Sequence, residues 1–152
     1  MSMLSLKSAT FNELKFLLEL RNDFLVRKNS FNHDSVKFES HRRWLRRILS
    51  NSNHRLYIVV DKQKQPIGQV RFDLRGHTAE INVALIQEAR GRGFGKEAIR
   101  ESSALFLSQN PHYKILARVK EDNSISLKAF LNVGYKEEKK KNGVVYLTLR
   151  PQ

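Results

Sequence analysis

Residues 85–96 contain several residues whose side chains or main chain could bind an anion. They include three of the chain's seven glycines, Gly91, Gly93 and Gly95. An apolar run at residues 81–86 precedes the glycines and a helical pattern follows them, so we expect a strand, a loop and a helix in that order. Glycines let a backbone approach a ligand closely, and the first N–H groups of a helix have no partner within it. The anion that such a helix N-terminus usually binds is phosphate.

Three known phosphate-binding loops compete to explain this stretch. A dinucleotide fingerprint starting at Gly91 requires glycine at position 96, which is Lys96. A P-loop requires glycine at position 90 and serine or threonine at position 97, which are Arg90 and Glu97. The pattern that fits is [Q/R]-x-x-G-x-[G/A], with Arg90 in the first position. A glycine-rich strand-to-helix turn without a ligand would give a similar string, so the loop alone leaves its function open.

A second spaced motif lies further along the chain. Asn123, Ser126, Phe130, Gly134 and Tyr135 follow the pattern N-x-x-S-x-x-x-[YF]-x-x-x-G-[FY]. Together the two motifs resemble the GNAT superfamily of N-acetyltransferases, and with the order of elements the resemblance extends from about residue 4 to residue 149. It implies an α+β (mixed α/β) fold, with a twisted, mostly antiparallel central sheet, a splayed parallel pair at the cofactor site and helices on both faces.

The resemblance implies acetyl-CoA as the cosubstrate and no metal. In the family, coenzyme A lies in a V-shaped opening between two parallel strands, here around residues 84–87 and 115–119. Main-chain N–H groups of residues 90–96 are expected to hold the pyrophosphate. The cofactor-binding residues predicted in this way are Ala84, Leu85, Ile86, Arg90, Gly91, Arg92, Gly93, Phe94, Gly95, Lys96, Asn123, Ser126 and Phe130.

Two residues are candidates for the catalytic base. Glu80 lies on the strand that leads into the predicted site, with Asn82 and Ala84 on the same face by alternation. It could equally face solvent or pair with an arginine. His41 could accept a proton near neutral pH, although a histidine on an apolar helical stripe is more often a satisfied core residue.

The general acid is an open question. The family usually has a tyrosine that protonates the departing thiolate, and Phe130 stands at that position. Ser126, Tyr135 or Tyr146 could replace it, or the thiolate could leave with help from solvent, because a thiol of low pKa barely needs an acid.

Composition limits the class of protein. The chain has 152 residues, so residues 1–152 are predicted to form a single domain. It has no cysteine, which excludes disulfides and cysteine metal sites. No signal peptide or membrane-spanning stretch is apparent, so we expect a cytoplasmic protein with no membrane partner. A formal net charge of +13 predicts a polyanionic substrate or partner, although a basic surface can also serve only to keep a protein in solution.

Several elements can be placed from sequence patterns. Thr10 and Glu13 form a capping box before a helix that carries Leu14, Leu17, Leu18 and Leu25. A second helix has Phe38, His41, Leu45 and Ile48 on one stripe. Strands are predicted at residues 54–60, 67–74, 78–86 and 113–119, and Asn142-Gly143 predicts a final hairpin.

The acceptor is expected to be a primary amine on a small molecule, bound by Arg21, Arg27, His41 and Asn82. The N-terminal third carries Arg21-Asn22, Val26-Arg27 and then His41 followed by Trp44. In these residues it resembles the N-acetyltransferases that modify UDP-linked 4-amino sugars in pseudaminic acid biosynthesis, and this resemblance favours a nucleotide sugar. It departs from them at Lys28-Asn29, where a tryptophan–methionine pair is frequent.

The alternatives span other classes. A protein N-terminus, as in ribosomal-protein acetyltransferases, is the alternative acceptor. A basic nucleic-acid-binding domain is disfavoured because no reader motif is present, and a non-catalytic acetyl-CoA-binding domain is the remaining alternative. The chain is predicted to be a monomer or a homodimer.

Overall fold

The structure is a computed structural model that describes residues 3–152, so residues 1 and 2 of the predicted domain lie outside the described residues. The elements in chain order are β1 (Leu4–Ser8), α1 (Leu14–Asn22), α2 (Phe24–Asn29), α3 (Phe38–Leu49), β2 (His54–Asp61), β3 (Pro66–Arg75), β4 (Thr78–Leu85), α4 (Phe94–Gln109), β5 (Lys114–Lys120), α5 (Ser124–Val133), β6 (Lys136–Lys141) and β7 (Val144–Leu149). Short 3-10 helices lie at Phe11–Glu13 and Gln87–Ala89.

The strands form one sheet in the order β1-β2-β3-β4-β5-β7-β6. Every neighbouring pair is antiparallel except β4 and β5, which are parallel. The predicted mixed fold, with a mostly antiparallel sheet and one parallel pair, is confirmed.

Helices cover both faces of the sheet. On one face α4 and α5 enclose the larger core, in which the rings of Phe72 and Phe106 stack with centroids 4.6 Å apart. On the other face α1 and α3 cover β2 through Leu17, Leu45 and Ile58. Each such side chain contributes about 1.5–3 kcal/mol when it is fully buried. The second cluster covers β2, so the neighbouring strands β3 and β4 are left to form a more polar surface on that side.

The helix predicted to run through Leu25 is interrupted. Asp23 has φ −57° and ψ 139°, and its side chain accepts hydrogen bonds from the backbone N–H groups of Leu25 and Val26. Because an aspartate in extended conformation caps a new helix better than it continues an old one, α1 ends and α2 begins here. Phe38 was also predicted on a buried stripe, but it is 51% exposed as the first residue of α3. The buried stripe begins one turn later, at His41.

The predicted terminal hairpin is confirmed. Asn142 and Gly143 both have positive φ, 53° and 77°, as a two-residue type I′ turn requires. All six residues of β6 are exposed, and β6 forms one edge of the sheet. Within residues 3–152, no helix combines the length and apolar composition needed to cross a membrane.

Candidate active site

A V-shaped opening lies between the two parallel strands. β4 and β5 pair in only three rows, from Thr78 with Lys114 to Glu80 with Leu116. Beyond Glu80 each strand stays paired to its outer neighbour, β4 to β3 and β5 to β7, so the two strands diverge. The opening is therefore flanked by residues 81–85 and 117–120. Ile115, which was expected to border it, lies instead in the paired part, and Gln87 belongs to a 3-10 helix.

The glycine loop lies at the open end of β4. Gly93 is the N-cap of α4 and has φ 82°, a left-handed conformation that residues other than glycine rarely adopt. No side chain caps the helix, and its first main-chain bond runs from the N–H of Glu97 to the carbonyl of Gly93. The N–H groups of residues 94–96 therefore have no partner within the helix. This end of α4 presents three backbone donors and the positive end of the helix dipole, which suits a phosphate group.

The arginine side chains of this loop contact the protein itself. Arg90 donates from Nε and Nη2 to the carbonyl of Leu85, at 3.2 and 2.9 Å, and from Nη2 to Asp23 Oδ1 at 2.6 Å. Arg92 donates to the carbonyl of Glu88 and lies 5.2 Å from the centroid of the Phe94 ring. Phe94 is itself in the core. Contact with an anion would therefore fall mainly to the backbone N–H groups.

Gly68 on β3 was not identified from the sequence, yet it shapes the same end of β4. A Cβ on Gly68 would lie 2.5 Å from the carbonyl oxygen of Ala84 and 2.6 Å from Cδ2 of Leu85. Only glycine allows this approach. The signal was an isolated glycine within a strand pattern, which often marks close backbone contact.

On the side facing α1 and α3, β3 and β4 present a polar surface. The side chains face each other in cross-strand pairs: Gln69 with Ala84, Arg71 with Asn82 and Asp73 with Glu80. Gln69 donates from Nε2 to Asn82 Oδ1 at 2.7 Å, and Arg71 donates from Nε to Asp73. Gln69 is buried, and its Oε1 has no hydrogen-bond partner among the described residues.

His41 on α3 contributes to the same region. It is 3% exposed, its ring stacks on Trp44 at 5.2 Å, and Trp44 lies under the guanidinium of Arg71 at 5.5 Å. His41 is thus buried, as the core alternative considered from the sequence requires, but its Nε2 has no hydrogen-bond partner in the described chain. Burial and then the charge of Arg21 lower the pKa of His41, so its imidazole is neutral at neutral pH.

Arg21 and Arg27 hold the loop that follows α2. Arg21 donates from Nη2 to the carbonyl of Asn32 at 3.1 Å, and Arg27 donates from Nε to the carbonyl of His33 at 3.0 Å. Arg21 Nη1 is buried without a partner among residues 3–152. Burial, followed by the charges of Arg27 and Arg71, lowers the pKa of Arg21. Neither Arg21 nor Arg27 forms an ion pair within the described residues.

Glu80 is at the closed end of the opening. Its Oε2 accepts from Arg118 Nε at 2.9 Å, so the arginine pairing considered from the sequence is present. The Arg118 guanidinium also lies 4.7 Å from the centroid of the Phe31 ring. The catalytic role of Glu80 stays a prediction.

Comparison with known proteins identifies the family. The family model for the acetyltransferase (GNAT) domain matches residues 4–136. The chain belongs to the GNAT acetyltransferase family. It is therefore an N-acetyltransferase, and acetyl-CoA is its acyl donor. No curated protein matches the sequence.

Solved structures confirm the fold of this acetyltransferase. Spermidine N-acetyltransferase from Vibrio cholerae, in complex with CoA and spermine, superposes with a TM-score of 0.89 at 21% identity, over 98% of this chain and 96% of that chain. A dodecameric form of the Vibrio cholerae enzyme gives 0.82 at 21% identity, over 99% and 95%. A domain from Methanocaldococcus jannaschii gives 0.84 at 22% identity, over 96% and 97%.

The residues present in the acetyltransferase fit acetyl-CoA. The divergence of β4 and β5 leaves backbone groups of residues 81–85 without a strand partner on that side, where an extended arm of the cosubstrate can bind. The N-terminus of α4, capped only by Gly93, offers donors to the pyrophosphate. Within residues 3–152, no group of three histidine, aspartate or glutamate side chains is suited to a metal ion.

The second motif of the acetyltransferase lies at the start of α5. Asn123 is the N-cap, and its Oδ1 accepts from the N–H of Ser126 at 3.3 Å. Phe130 is buried and meets the Tyr135 ring edge-on at 5.0 Å. The Tyr135 hydroxyl bonds Ser103 Oγ at 2.7 Å, and burial raises the pKa of Tyr135. Tyr135 is therefore a core residue, which makes it a poor candidate for the general acid.

Tyr146 lies closer to the Glu80 ion pair. It is the cross-strand partner of Arg118 on β7, so both side chains are on the face that carries Glu80. Its ring is half-buried under Lys139, with the ammonium 4.6 Å from the ring centroid. Of the three hydroxyl residues considered from the sequence, Tyr146 is the one on this face of the sheet.

Sequence reasoning missed three polar residues of the site, Asp23, Gln69 and Arg71. Asp23 could have been found as an N-cap between two apolar helical segments. Gln69 and Arg71 alternate with Val70 and Phe72 along β3. Such alternation predicts a strand with one apolar and one polar face, and the polar face was the available signal.

Proposed function

We propose that this acetyltransferase acetylates the primary amine of a small anionic molecule, and that a nucleotide-linked amino sugar is its acceptor. The observation that carries the proposal is the environment of Arg21. Its guanidinium is partly buried, has no ion pair among the described residues and lies in the field of Arg27 and Arg71, which the charge of Asp34 offsets only in part. One of its nitrogens is buried without an acceptor.

A cation in this state favours an anionic ligand. Burial removes hydration, and the two neighbouring arginines add repulsion, so an anion near Arg21 would relieve both costs. Phosphate oxygens accept from guanidinium groups in paired hydrogen bonds, each contributing about 1.5–3 kcal/mol. Arg71 is next to Arg21 on the same side of the sheet, so a diphosphate would meet more than one guanidinium.

The uncharged polar groups of the surface suit a sugar. Gln69 Oε1 is an acceptor and His41 Nε2 is an acceptor or donor according to tautomer, and both are buried without partners in the described residues. Asn82, which accepts a hydrogen bond from Gln69, is exposed on the same face. Sugar hydroxyls donate and accept hydrogen bonds and can satisfy groups of both kinds.

The acyl donor supplies an activated thioester, and the protein has to bring a neutral amine to it. We assign proton removal from the amine to the Glu80 carboxylate, directly or through a water molecule, with His41 Nε2 as the alternative base. Glu80 lies where β4 and β5 begin to diverge, at the closed end of the opening. The ion pair with Arg118 fixes the orientation of its carboxylate.

The acceptor of the structural neighbours differs in charge. Spermidine and spermine, named with the Vibrio cholerae enzymes, are polycations, and Arg21 and Arg27, which have no ion pair among the described residues, would repel them. A protein N-terminus, the other alternative, lacks a phosphate to pair with these arginines.

A competition between acceptors tests the proposal. The purified enzyme is incubated with acetyl-CoA and, separately, with a UDP-linked 4-amino sugar, spermidine and an N-terminal peptide of a ribosomal protein, and products are measured by mass spectrometry. We expect the highest kcat/KM for the nucleotide sugar. Preference for spermidine or the peptide would overturn the assignment.

Two variants separate binding from a general effect of charge. Arg21→Gln is expected to raise KM for the nucleotide sugar by about ten- to a hundred-fold, which corresponds to roughly 1.4–2.8 kcal/mol. Arg43→Gln, on the exposed side of α3, is the matched control and is expected to leave KM unchanged. Equal effects of the two variants would mean that overall charge, and no specific contact, attracts the acceptor.

A further inference from the structure

Three consecutive residues at the end of α1 fix the segment that follows. Arg21 bonds the carbonyl of Asn32, and Asn22 bonds both the N–H and the carbonyl of Val36, at 2.7 and 2.9 Å. Asp23 caps α2 and pairs with Arg90. We name residues 23–36 the strap. Its first residue is thus attached to the cofactor loop, while its end is tied back to α1.

The strap also contacts the other side of the opening. Lys120, the last residue of β5, donates from Nζ to the carbonyl of Lys28 at 3.1 Å and lies 2.6 Å from His33 Nε2. Phe31 is contacted by the guanidinium of Arg118. The strap therefore connects the β4 side, through Asp23 and Arg90, to the β5 side, through Lys120 and Arg118.

Arg90 has a particular position in this arrangement. It bonds the carbonyl of Leu85, the last residue of β4, and the carboxylate that caps α2. Both side chains of the ion pair are about one-quarter exposed, 25% for Arg90 and 24% for Asp23, so solvent screens the pair only in part. Arg90 is also three residues before Gly93, the N-cap at which an anion would bind.

We propose that Arg90 and Asp23 are positioning residues that couple acetyl-CoA binding at the glycine loop to the order of the strap. Arg90 does not hold the pyrophosphate with its guanidinium. It fixes the end of β4 and the start of α2 relative to each other, so an anion that immobilises the loop also immobilises the acceptor side. The ion pair thereby links the occupied loop to the acceptor side, where Arg21 and Arg27 hold the strap.

Two conservative variants remove the ion pair with little other change. Asp23→Asn keeps a side-chain oxygen that can cap α2 but loses the charge. Arg90→Gln keeps an amide donor near the carbonyl of Leu85, and glutamine satisfies the motif at this position. Asp23→Glu retains the charge and is the rescue variant. Arg42→Gln breaks the exposed pair with Glu39 on α3 and is the matched control.

The experiment measures amide hydrogen exchange of the strap with and without coenzyme A, and the affinity for acetyl-CoA by calorimetry. In the wild-type protein, coenzyme A should slow exchange at residues 23–36 at least several-fold. Asp23→Asn and Arg90→Gln should each abolish this protection and weaken acetyl-CoA binding by the same factor, about three- to ten-fold. The double variant should be no worse than either single variant, because both remove the same interaction. Asp23→Glu should restore part of the protection, and Arg42→Gln should behave as wild type.

Other outcomes would overturn the proposal. If Arg90→Gln weakens acetyl-CoA binding while Asp23→Asn does not, Arg90 is a direct ligand of the cofactor. If strap exchange is the same with and without coenzyme A, the ion pair is only structural. None of these measurements needs the amine acceptor, so they remain informative even if the nucleotide sugar proves to be the wrong substrate.

Discussion

Glu80 and Arg118 form an ion pair across the two parallel strands, with Oε2 and Nε 2.9 Å apart. Glu80 lies in the last row in which β4 and β5 pair, and Arg118 lies just beyond that row. The pair is at the closed end of the opening, and Arg118 in turn contacts Phe31 of the strap. A carboxylate in this position can serve one of two tasks. It can accept the proton of the amine, or it can hold Arg118 and thereby the strap.

Glu80→Gln is expected to lower kcat by about a hundred- to ten-thousand-fold, the usual contribution of a general base, with little change in acetyl-CoA affinity. Steady-state kinetics and calorimetry measure the two effects separately. Arg118→Gln removes the same ion pair without removing the carboxylate. Equal loss of kcat in both variants would assign Glu80 to positioning alone. If Glu80→Gln keeps full turnover at neutral pH while His41→Ala loses it, the base is on α3.

Substitutions at Gly93 should separate backbone strain from ligand binding. Valine at φ 82° is strained by about 1–3 kcal/mol, so Gly93→Val is expected to lose both stability and acetyl-CoA binding. Asparagine tolerates this conformation at little cost, but its side chain adds bulk beside the free N–H groups of residues 94–96. Gly93→Asn should therefore keep its melting temperature and bind acetyl-CoA at least ten-fold more weakly by calorimetry. Unchanged affinity in the folded Asn variant would contradict the assignment of the loop.

The stability of the fold should depend on pH through His41. Its pKa is lowered from 6.5 by burial and by Arg21, so the unfolded chain binds this proton more tightly than the folded protein. Stability should thus fall as pH decreases below about 6.5 and reach its full value above it. Thermal unfolding at about pH 5.5 and pH 7.5 should show a larger difference for wild type than for His41→Gln. The same difference in both proteins would mean that other groups cause the pH dependence.

Gly68→Ala is expected to destabilise the fold by about 1–3 kcal/mol, because its Cβ would overlap the backbone of Ala84 and the side chain of Leu85. Gly95→Ala is the matched control, since its Cβ would lie 3.6 Å from Leu85 Cδ1, an ordinary contact. Denaturant unfolding compares the two. Equal stability of both variants would show that β4 can shift to accommodate the methyl group.

Much of the fold was predictable because local patterns determine it. The capping box at Thr10 and Glu13 and the hairpin at Asn142 depend on residues close to each other in the chain, and both are present in the structure. The strand–loop–helix order at the glycines was predictable for the same reason. The acetyltransferase family followed from two motifs whose spacing is read directly from the sequence.

The site was less predictable because its contacts join distant parts of the chain. Asp23 and Arg90 are 67 residues apart, and no local pattern pairs them. The opening between β4 and β5 begins where the pairing of these strands stops, at Glu80. No single side chain determines where that pairing stops. Arg71 could be recognised as a site residue only from the fold, in which Trp44 of α3 lies against its guanidinium.

The exposed strand β6 affects how copies of this protein meet. The outer edge of a sheet can pair with the edge of another molecule, which is a route to aggregation. β6 carries four lysines and two glutamates in six residues, all exposed. Two copies that paired edge to edge would have to strip water from these charged side chains, and the register shift between Glu137 and Lys139 makes the edge irregular. This edge is therefore protected against intermolecular sheet growth, so a crowded solution of the protein should resist fibre formation from this side.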